Sequence, residues 1–211
     1  MSCAIIDYES GNLHSVQKSF ERMRREVGGP EILVTSDPDA VRRAERIVLP
    51  GVGAFADCRR GLEAVDGMEE ALADRVGAGV PFLGICVGMQ LLATVGREFG
   101  DTPGLGLVPG EVVQMQPSDP TLKVPHMGWN ELVIDRAHTV LEGIDSGDHA
   151  YFVHSFHMLP AEPEDRLAHV EYGGDVTAAI AKGNVIGTQF HPEKSQKTGL
   201  RLIGNFLNWA P

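Results

Sequence analysis

Val80-Pro81-Phe82-Leu83-Gly84-Ile85-Cys86-Val87-Gly88-Met89-Gln90 is an apolar run that leads directly into a cysteine flanked by two glycines. A short apolar run of this kind predicts a strand buried on both faces, and the residues after the cysteine predict a helix. Gly84 and Gly88 carry no Cβ, so the backbone can bend sharply and pack closely around the junction. Cys86 therefore stands at a strand-to-helix turn of the type that presents a nucleophile.

Strands and helices alternate on the N-terminal side of this junction. Apolar runs predict strands at residues 3–8, 31–35, 46–49 and 80–85. Helices are expected after Asn12 as the N-cap, after the turn at residues 50–53, at residues 68–76 and at residues 89–95. The first two helices should bury, respectively, Leu13, Val16, Phe20 and Met23, and Phe55, Cys58 and Leu62. This alternation requires crossover connections and predicts a parallel sheet with both faces covered.

The chain becomes richer in extended runs after about residue 105. These runs predict mainly antiparallel strands at residues 112–115, 123–129, 131–134, 150–156, 167–172, 176–181 and 185–190. A closing helix should bury Leu200, Ile203, Phe206 and Leu207. We therefore expect an α/β sandwich around a mixed, mainly parallel central sheet, with residues 1–211 forming one domain.

Composition and charge disfavour several classes of function and location. The 18 Lys and Arg residues against 29 Asp and Glu give a net charge of −11, which disfavours broad binding to nucleic acid or anionic lipid. The sequence has neither a secretory leader nor an apolar run of transmembrane length, so secretion and membrane insertion are not expected. Cys3, Cys58 and Cys86 are odd in number and lack CxxC spacing, which argues against disulfides and a zinc site and favours reduced thiols in the cytoplasm.

Cys86 is the candidate nucleophile. At the start of a helix the aligned backbone dipoles favour a thiolate, and the N–H of Val87 is aimed at the site where an oxyanion would form. The alternative is that Cys86 is a small buried apolar residue, the usual fate of an unpaired cysteine. The strand, the two glycines and the helix favour catalysis, whereas Cys3 and Cys58 lack that context and are assigned to packing.

His191 is the candidate base among eight histidines, because it follows the apolar run at residues 185–190. If the extended conformation continues, the period of two places His191 and Glu193 on the same side, and Pro192 biases His191 toward that conformation. The carboxylate could then orient one imidazole nitrogen and leave the other facing the sulfur, as in a catalytic triad. A histidine at a strand end can also be a satisfied surface residue, and the pairing with Cys86 favours the catalytic interpretation.

Gly51, Val52 and Gly53 are candidate oxyanion donors, together with Val87. They follow a predicted strand, as the second donor loop does in hydrolases of this general plan, and glycines there let a peptide approach or rotate. The alternative is an ordinary glycine-rich turn. A dinucleotide or phosphate loop is disfavoured, because neither G-x-G-x-x-G nor G-x-x-x-x-G-K-[ST] occurs at this position.

These motifs resemble those of class I glutamine amidotransferases, whose GxCxGxQ motif matches residues 84–90 and whose distal HPE matches residues 191–193. Four segments narrow the likeness to the glutaminase subunits of histidine biosynthesis. They are IDYESGNL at residues 6–13, VPHMGWN at 124–130, YFVHS at 151–155 and HPEKSQ at 191–196. The likeness extends from the first strand to the last helix and implies a flavodoxin-like sandwich.

The resemblance further implies hydrolysis of glutamine through a glutamyl thioester on Cys86, with His191 and Glu193 completing the triad and with no cofactor or metal. The positions similar to the family's glutamine-binding groups are Gly53, Gln90, Glu98, His154, Ser155 and Phe156. The positions similar to its partner face are Asn12, Tyr151 and Lys194. The implied partner is a cyclase subunit with a (β/α)8 barrel, which would receive the ammonia within a heterodimer.

Three other interpretations remain at this point. The chain could serve another amidotransferase, such as those of anthranilate, guanylate or pyridoxal phosphate synthesis, or it could be a thiol hydrolase on the same fold. It could also be a binding scaffold without turnover. The segments at residues 124–130 and 151–155 disfavour the first two by resemblance, and the presence of Cys86, His191 and Glu193 disfavours the scaffold, which has no need of all three.

Overall fold

The computed structural model describes residues 2–211, and its N-terminal half alternates strands and helices as expected. The strands are β1 (Ser2–Ile6), β2 (Glu31–Thr35), β3 (Arg46–Gly51) and β4 (Phe82–Cys86). The helices are α1 (Leu13–Val27), α2 (Pro38–Arg42), α3 (Phe55–Glu63), α4 (Met68–Gly77) and α5 (Val87–Gln90). Within residues 2–211, no helix combines the length and the apolar character needed to cross a membrane.

The C-terminal half is mostly extended, as the sequence predicts. Its strands are β5 (Val95–Gly96), β6 (Thr102–Pro103), β7 (Gly110–Gln114), β8 (His126–Glu131), β9 (Val133–Ile134), β10 (His149–His154), β11 (Phe156–Pro160), β12 (Arg166–Glu171), β13 (Asp175–Lys182) and β14 (Val185–Thr188). The chain closes with α6 (Gln196–Asn208).

An eight-stranded central sheet has the order β2-β1-β3-β4-β14-β13-β12-β9. Its first five strands pair in parallel, and the last three are antiparallel additions to that edge. Two smaller sheets, β10-β8 and β11-β7-β5-β6, lie beside it. The expected mixed, mainly parallel sheet is confirmed, and β14 brings the C-terminal half of the chain directly against β4.

The core forms where apolar side chains of the helices meet the sheet. All five residues of β4 are buried, as expected for a parallel strand covered on both faces. In α1 the expected stripe is buried at Val16, Phe20 and Met23, and Phe20 packs edge-on against Phe206 of α6 with ring centroids 6.3 Å apart. Fully burying such a side chain stabilises the fold by about 1.5–3 kcal/mol. These contacts hold α1 against α6.

The prediction of a helix at residues 89–95 is wrong, because α5 is a single turn that ends at Gln90. The backbone N–H groups of Leu105 and Gly106 donate to the carbonyls of Leu91 and Ala93 at 2.7 and 3.0 Å. These tertiary bonds occupy acceptors that a longer helix would use. The helix dipole expected to favour a Cys86 thiolate therefore comes from a single helical turn.

Several smaller expectations also differ from the structure. β3 continues through Gly51, because Gly51 pairs in register with Cys86 of β4. Asn12 precedes α1, but within the described residues its side chain makes no capping hydrogen bond. The extended run at residues 150–156 is two strands, β10 and β11, that part at Ser155. Leu200 is only partly buried in α6, where Leu202 is buried instead. α2, β5 and β6 were not predicted.

Candidate active site

Cys86 lies at the bend between β4 and α5 with φ 55° and ψ −113°. A non-glycine residue in this region is strained, and strain of this kind is typical of a nucleophile held at a sharp turn. The flanking glycines are required by close packing. A Cβ on Gly84 would lie 2.6 Å from the Gly88 carbonyl oxygen, and a Cβ on Gly88 would lie 1.8 Å from the Leu49 carbonyl oxygen.

His191 and Glu193 form a buried pair. The Nδ1 atom of His191 lies 2.9 Å from a carboxylate oxygen of Glu193, and both side chains are almost completely excluded from solvent. The predicted reason for this contact is wrong. His191 itself is extended, but Pro192–Lys194 form a 3-10 turn, so the carboxylate reaches back across one turn rather than along a strand. The backbone of His191 is held by its N–H to the Tyr151 carbonyl at 3.0 Å and by the Ser195 hydroxyl to its own carbonyl at 2.7 Å.

The electrostatics of His191 favour a charged imidazole. Burial disfavours the charge, but the nearby Cys86 sulfur and the hydrogen-bonded Glu193 carboxylate outweigh it and raise the pKa of His191 to about 9. Its Nε2 nitrogen is buried and, among residues 2–211, meets no partner at hydrogen-bond geometry. Nδ1 is already engaged by the carboxylate, so Nε2 is the nitrogen available to exchange a proton with the sulfur or a substrate.

A cavity of about 410 Å³ opens over the nucleophile. Ten of the catalytic, oxyanion and glutamine-binding candidates line it: Val52, Gly53, Cys86, Val87, Gln90, Glu98, His154, Ser155, Phe156, His191. Lys194 lines it as well, together with Pro125 and Val153. Gly51 is buried behind this lining, where a Cβ would lie 2.7 Å from the Gly88 nitrogen. A larger cavity, of about 860 Å³, lies apart from Cys86 beside α1 and α6.

Gln90 and Glu98 are both held by the protein at the cavity wall. The Gln90 side-chain nitrogen donates to the Phe156 carbonyl at 2.9 Å and to the Gln189 side-chain oxygen at 3.1 Å. One Glu98 carboxylate oxygen accepts the N–H of Phe55 at 2.7 Å. Phe55 is the first residue of α3, so the Glu98 carboxylate also satisfies an unpaired N–H at that helix start.

The loop proposed as the second oxyanion donor lines the cavity, but the N–H of Val52 is engaged by another residue. The Val52 N–H donates to the Ser10 hydroxyl at 3.3 Å, and the Val52 carbonyl accepts from that hydroxyl at 3.0 Å and from the Cys58 thiol at 3.3 Å. Gly53 follows with φ 100°, a conformation that glycine adopts without strain. Cys58 was assigned to packing alone. It is buried, as expected, but its sulfur also contacts this loop.

Two of the three residues expected at a partner face, Tyr151 and Lys194, lie beside each other at the cavity that Lys194 lines, whereas Asn12 is an exposed residue before α1. The Lys194 ammonium lies 5.9 Å from the centre of the Tyr151 ring, and Tyr151 packs edge-on against Trp129 at 5.9 Å between ring centroids. Trp129 and Met127 of β8 are exposed over 46% and 63% of their surface. Sequence reasoning did not assign these two residues to the face. An aromatic and a methionine at alternate positions of a strand were the available signal.

Gln189 is the site residue that sequence reasoning missed. Its side chain is completely buried, and its amide nitrogen lies 3.7 Å from the Cys86 sulfur. Periodicity placed it in an apolar strand two positions before His191. A polar amide inside an otherwise apolar run was the signal that could have identified it.

Comparison with known proteins identifies the family of the chain. A family model described as "Glutamine amidotransferase class-I" matches residues 4–209. Proteins named imidazole glycerol phosphate synthase subunit HisH from Ruegeria pomeroyi and Rhodospirillum rubrum are 58% and 59% identical to this chain. Each of the two alignments covers 100% of this chain and 100% of the relative.

Solved structures share the fold at much lower sequence identity. One described as "Crystal structure of glutamine amidotransferase" has a TM-score of 0.73 at 18% identity, covering 98% of this chain and 99% of the other. The structure of PurLQS from Thermotoga maritima has a TM-score of 0.70 at 20% identity, covering 98% and 97%. The expected fold class is confirmed. The chain therefore belongs to the class I glutamine amidotransferase family.

Proposed function

We propose that this chain is the glutaminase subunit of an imidazole glycerol phosphate synthase, and that residues 1–211 act as one glutaminase domain. The observation that carries the proposal is the placement of Cys86 and His191 on one cavity, with Glu193 hydrogen-bonded to His191, in a chain that is 58–59% identical over its full length to two HisH subunits. A cavity of about 410 Å³ is within the ordinary range for small-molecule sites and suits a substrate as small as glutamine.

The chemistry follows from the positions of three side chains. His191 holds the proton of the Cys86 thiol as a charged imidazole, and the Cys86 sulfur attacks the side-chain amide carbon of glutamine. His191 then donates that proton to the departing amine, so that ammonia leaves and a glutamyl thioester remains. Water, deprotonated by the same imidazole, attacks the thioester and releases glutamate and the Cys86 thiol. Glu193 holds Nδ1 throughout, which keeps Nε2 directed at the reacting atoms.

The oxyanion of each tetrahedral intermediate needs donors. The Val87 N–H is available at the first helical position after Cys86, where α5 offers it no acceptor within the helix. The Val52 N–H is engaged by the Ser10 hydroxyl, so a second donor requires the loop at residues 51–53 to rotate. We propose that this rotation separates a slow resting enzyme from an active one.

The proposed partner is a cyclase subunit with a (β/α)8 barrel, paired with this chain as a heterodimer. Ammonia is protonated in water and is then a poor nucleophile, so its direct transfer to an acceptor site protects the reaction. The exposed Trp129 and Met127, with Tyr151 and Lys194, supply an apolar face with a charged neighbour that suits a protein partner, and the resemblance adds Asn12 as a further contact. The cyclase would combine the ammonia with a phosphoribulosyl-formimino aminoimidazole carboxamide ribotide to give imidazole glycerol phosphate and aminoimidazole carboxamide ribotide. The three unpaired thiols favour work in the reducing cytoplasm.

Replacement of Cys86 by alanine tests the proposal. Glutamate release should be measured for the isolated chain and for the complex with the cyclase and its nucleotide ligand. The wild type should be slow alone and much faster in the complex, whereas Cys86→Ala should fall to background in both while still binding the cyclase.

Cys3→Ala is the matched control, because it removes an equally buried sulfur on β1, away from the cavity. It should keep the rate of the wild type. Glutamate release by a folded Cys86→Ala variant would refute the proposed nucleophile, and full activity of the isolated wild type would refute the dependence on a partner. Retention of every partner-dependent activity by the alanine variant would instead identify a binding scaffold.

A further inference from the structure

A buried amide chain connects the Cys86 sulfur to the backbone of β11. Gln189 follows β14, which runs parallel to β4 with Thr188 opposite Ile85. The backbone N–H of Gln189 donates to the Ala178 carbonyl at 2.8 Å, which fixes the residue to β13. Its side chain is completely buried and lies between Cys86 and Gln90. Burying a primary amide is costly unless it is hydrogen-bonded, so its partners explain why it is tolerated.

The direction of each hydrogen bond between these amides follows from the Phe156 carbonyl, at the end away from Cys86. The Phe156 carbonyl oxygen can only accept, so Gln90 must present its NH2 group to it at 2.9 Å. The same NH2 group has a second hydrogen, which meets the side-chain oxygen of Gln189 at 3.1 Å. The other end of the Gln189 amide is therefore its NH2 group, and this end lies 3.7 Å from the Cys86 sulfur. The orientation of both amides follows from the network.

Two histidines, His154 and His126, hold the Phe156 carbonyl in place. Burial lowers the pKa of His154 to about 3 and that of His126 to about 4, so both rings are neutral and carry one N–H each. His154 Nδ1 lies 2.9 Å from the Phe156 carbonyl and must be its protonated nitrogen. His154 Nε2 then accepts from Nδ1 of His126 at 3.2 Å. The Phe156 oxygen thus receives two donors, from Gln90 and from His154, and cannot turn away without losing both.

The hydrogen bond from Gln189 determines the direction of the thiol hydrogen of Cys86. An NH2 group only donates, so the sulfur must act as acceptor toward Gln189. A thiol that accepts on this side directs its own hydrogen elsewhere, and the buried Nε2 of His191 on the cavity wall takes that hydrogen to give the charged imidazole that its raised pKa favours. Once the proton has moved, the same N–H faces a thiolate, to which a hydrogen bond is stronger than to a neutral thiol.

We propose that Gln189 is a further catalytic residue, whose side-chain N–H donates to the Cys86 sulfur and directs the thiol proton toward His191. The proposal rests on the function proposed above for Cys86. Gln90 and the Phe156 carbonyl act as positioning groups that hold the Gln189 amide in its donating orientation.

Gln189→Met is the principal test, because methionine has nearly the same length and no N–H donor. Thr188→Val is the matched control. It removes a buried polar group from the preceding residue, whose hydroxyl donates to the Phe190 carbonyl at 3.0 Å rather than to the sulfur. The full-length variants should be treated with iodoacetamide across a pH series, with modification of Cys86 followed by peptide mass spectrometry, and kcat and KM for glutamine measured with the cyclase.

The pH at which Cys86 alkylation reaches half its maximum should rise by about one unit in Gln189→Met, which corresponds to a tenfold loss of thiolate stabilisation. The kcat should fall by about tenfold or more, with KM nearly unchanged, because the lost interaction strengthens as the sulfur becomes charged. Thr188→Val should keep the alkylation profile of the wild type. A folded Gln189→Met variant with an unshifted profile and normal kcat would overturn the proposal.

A measurement on the wild-type chain covers the case in which Gln189→Met does not fold. In 15N-labelled protein, the side-chain NH2 resonances of Gln189 should move as Cys86 ionises, and should stop moving after Cys86 is alkylated. The partly buried amide of Gln17 on α1, which donates to Glu21, is the internal control and should not respond. Gln189 side-chain resonances that do not shift when Cys86 ionises would overturn the proposal. Loss of activity in Cys86→Ala with normal Gln189 variants would refute this inference alone, whereas an active Cys86→Ala variant would refute the proposed function itself.

Discussion

Replacing His191 with glutamine should reduce the loss of stability between pH 7 and pH 9. The interactions with Cys86 and Glu193 raise the pKa of His191 from 6.5 to about 9, despite burial that opposes the charge. A pKa raised on folding stabilises the protein fully below the unfolded value and ceases to do so as the pH rises through the folded value. From those two values, the contribution of His191 falls by about 2 kcal/mol between pH 7 and pH 9.

Urea unfolding followed by circular dichroism, with a reductant present, measures this effect as a double difference. Free energies of unfolding should be compared at pH 7 and pH 9 for the wild type and for His191→Gln. The variant should be less stable at pH 7, because the buried Glu193 carboxylate loses its partner, yet it should lose about 2 kcal/mol less than the wild type on going to pH 9.

His14→Gln, at an exposed histidine of α1, provides the control and should follow the wild type at both pH values. Equal losses of stability in the wild type and in His191→Gln would refute the reasoning. That result would mean that the imidazole is no more readily protonated in the folded protein than in the unfolded chain.

Two further substitutions test the geometry around the nucleophile. Ser10→Ala should raise glutamate release by the isolated chain about fivefold, because the hydroxyl that holds the Val52 N–H is lost, and an unchanged basal rate would contradict the proposed rotation of the loop. Gly88→Ala should lower the free energy of unfolding by about 3 kcal/mol or more in urea titrations, because the added Cβ would lie 1.8 Å from the Leu49 carbonyl oxygen. Gly77→Ala, whose Cβ would meet nothing within 4 Å, is the control and should leave stability nearly unchanged.

Local periodicity explains how much of the fold could be predicted from the sequence. The buried stripe of α1 at Val16, Phe20 and Met23, and that of α3 at Phe55, Cys58 and Leu62, follow from spacings within single helices. The apolar strands of the central sheet were recognisable for the same reason. α5 was predicted too long because its end depends on hydrogen bonds from Leu105 and Gly106, which no pattern within the helix can reveal.

The candidate site combines a predictable part with one that was not predictable. The bend at Cys86 and the glycines around it were recognisable, since a strand, two residues without Cβ and a turn form one continuous segment. The contact between His191 and Glu193 was expected, but for the wrong reason, because a 3-10 turn rather than a strand brings the carboxylate back. The contact between Gln189 and Cys86 joins residues 103 positions apart, and nothing in either segment identifies the other as its neighbour.

The register between β14 and β4 explains why Gln189 lies next to Cys86. β14 lies against β4 in parallel, with Gly187 opposite Gly84 and Thr188 opposite Ile85, so the two strands end at the same edge of the sheet. Gln189, just after the end of β14, and Cys86, the last residue of β4, are then adjacent without any direct sequence relationship. Because side chains alternate along a strand, a slip of one residue in this pairing would turn the Gln189 amide to the opposite face of the sheet. The nucleophile and the amide that faces it therefore depend on one strand pairing, and the same pairing sets where the chain continues to His191.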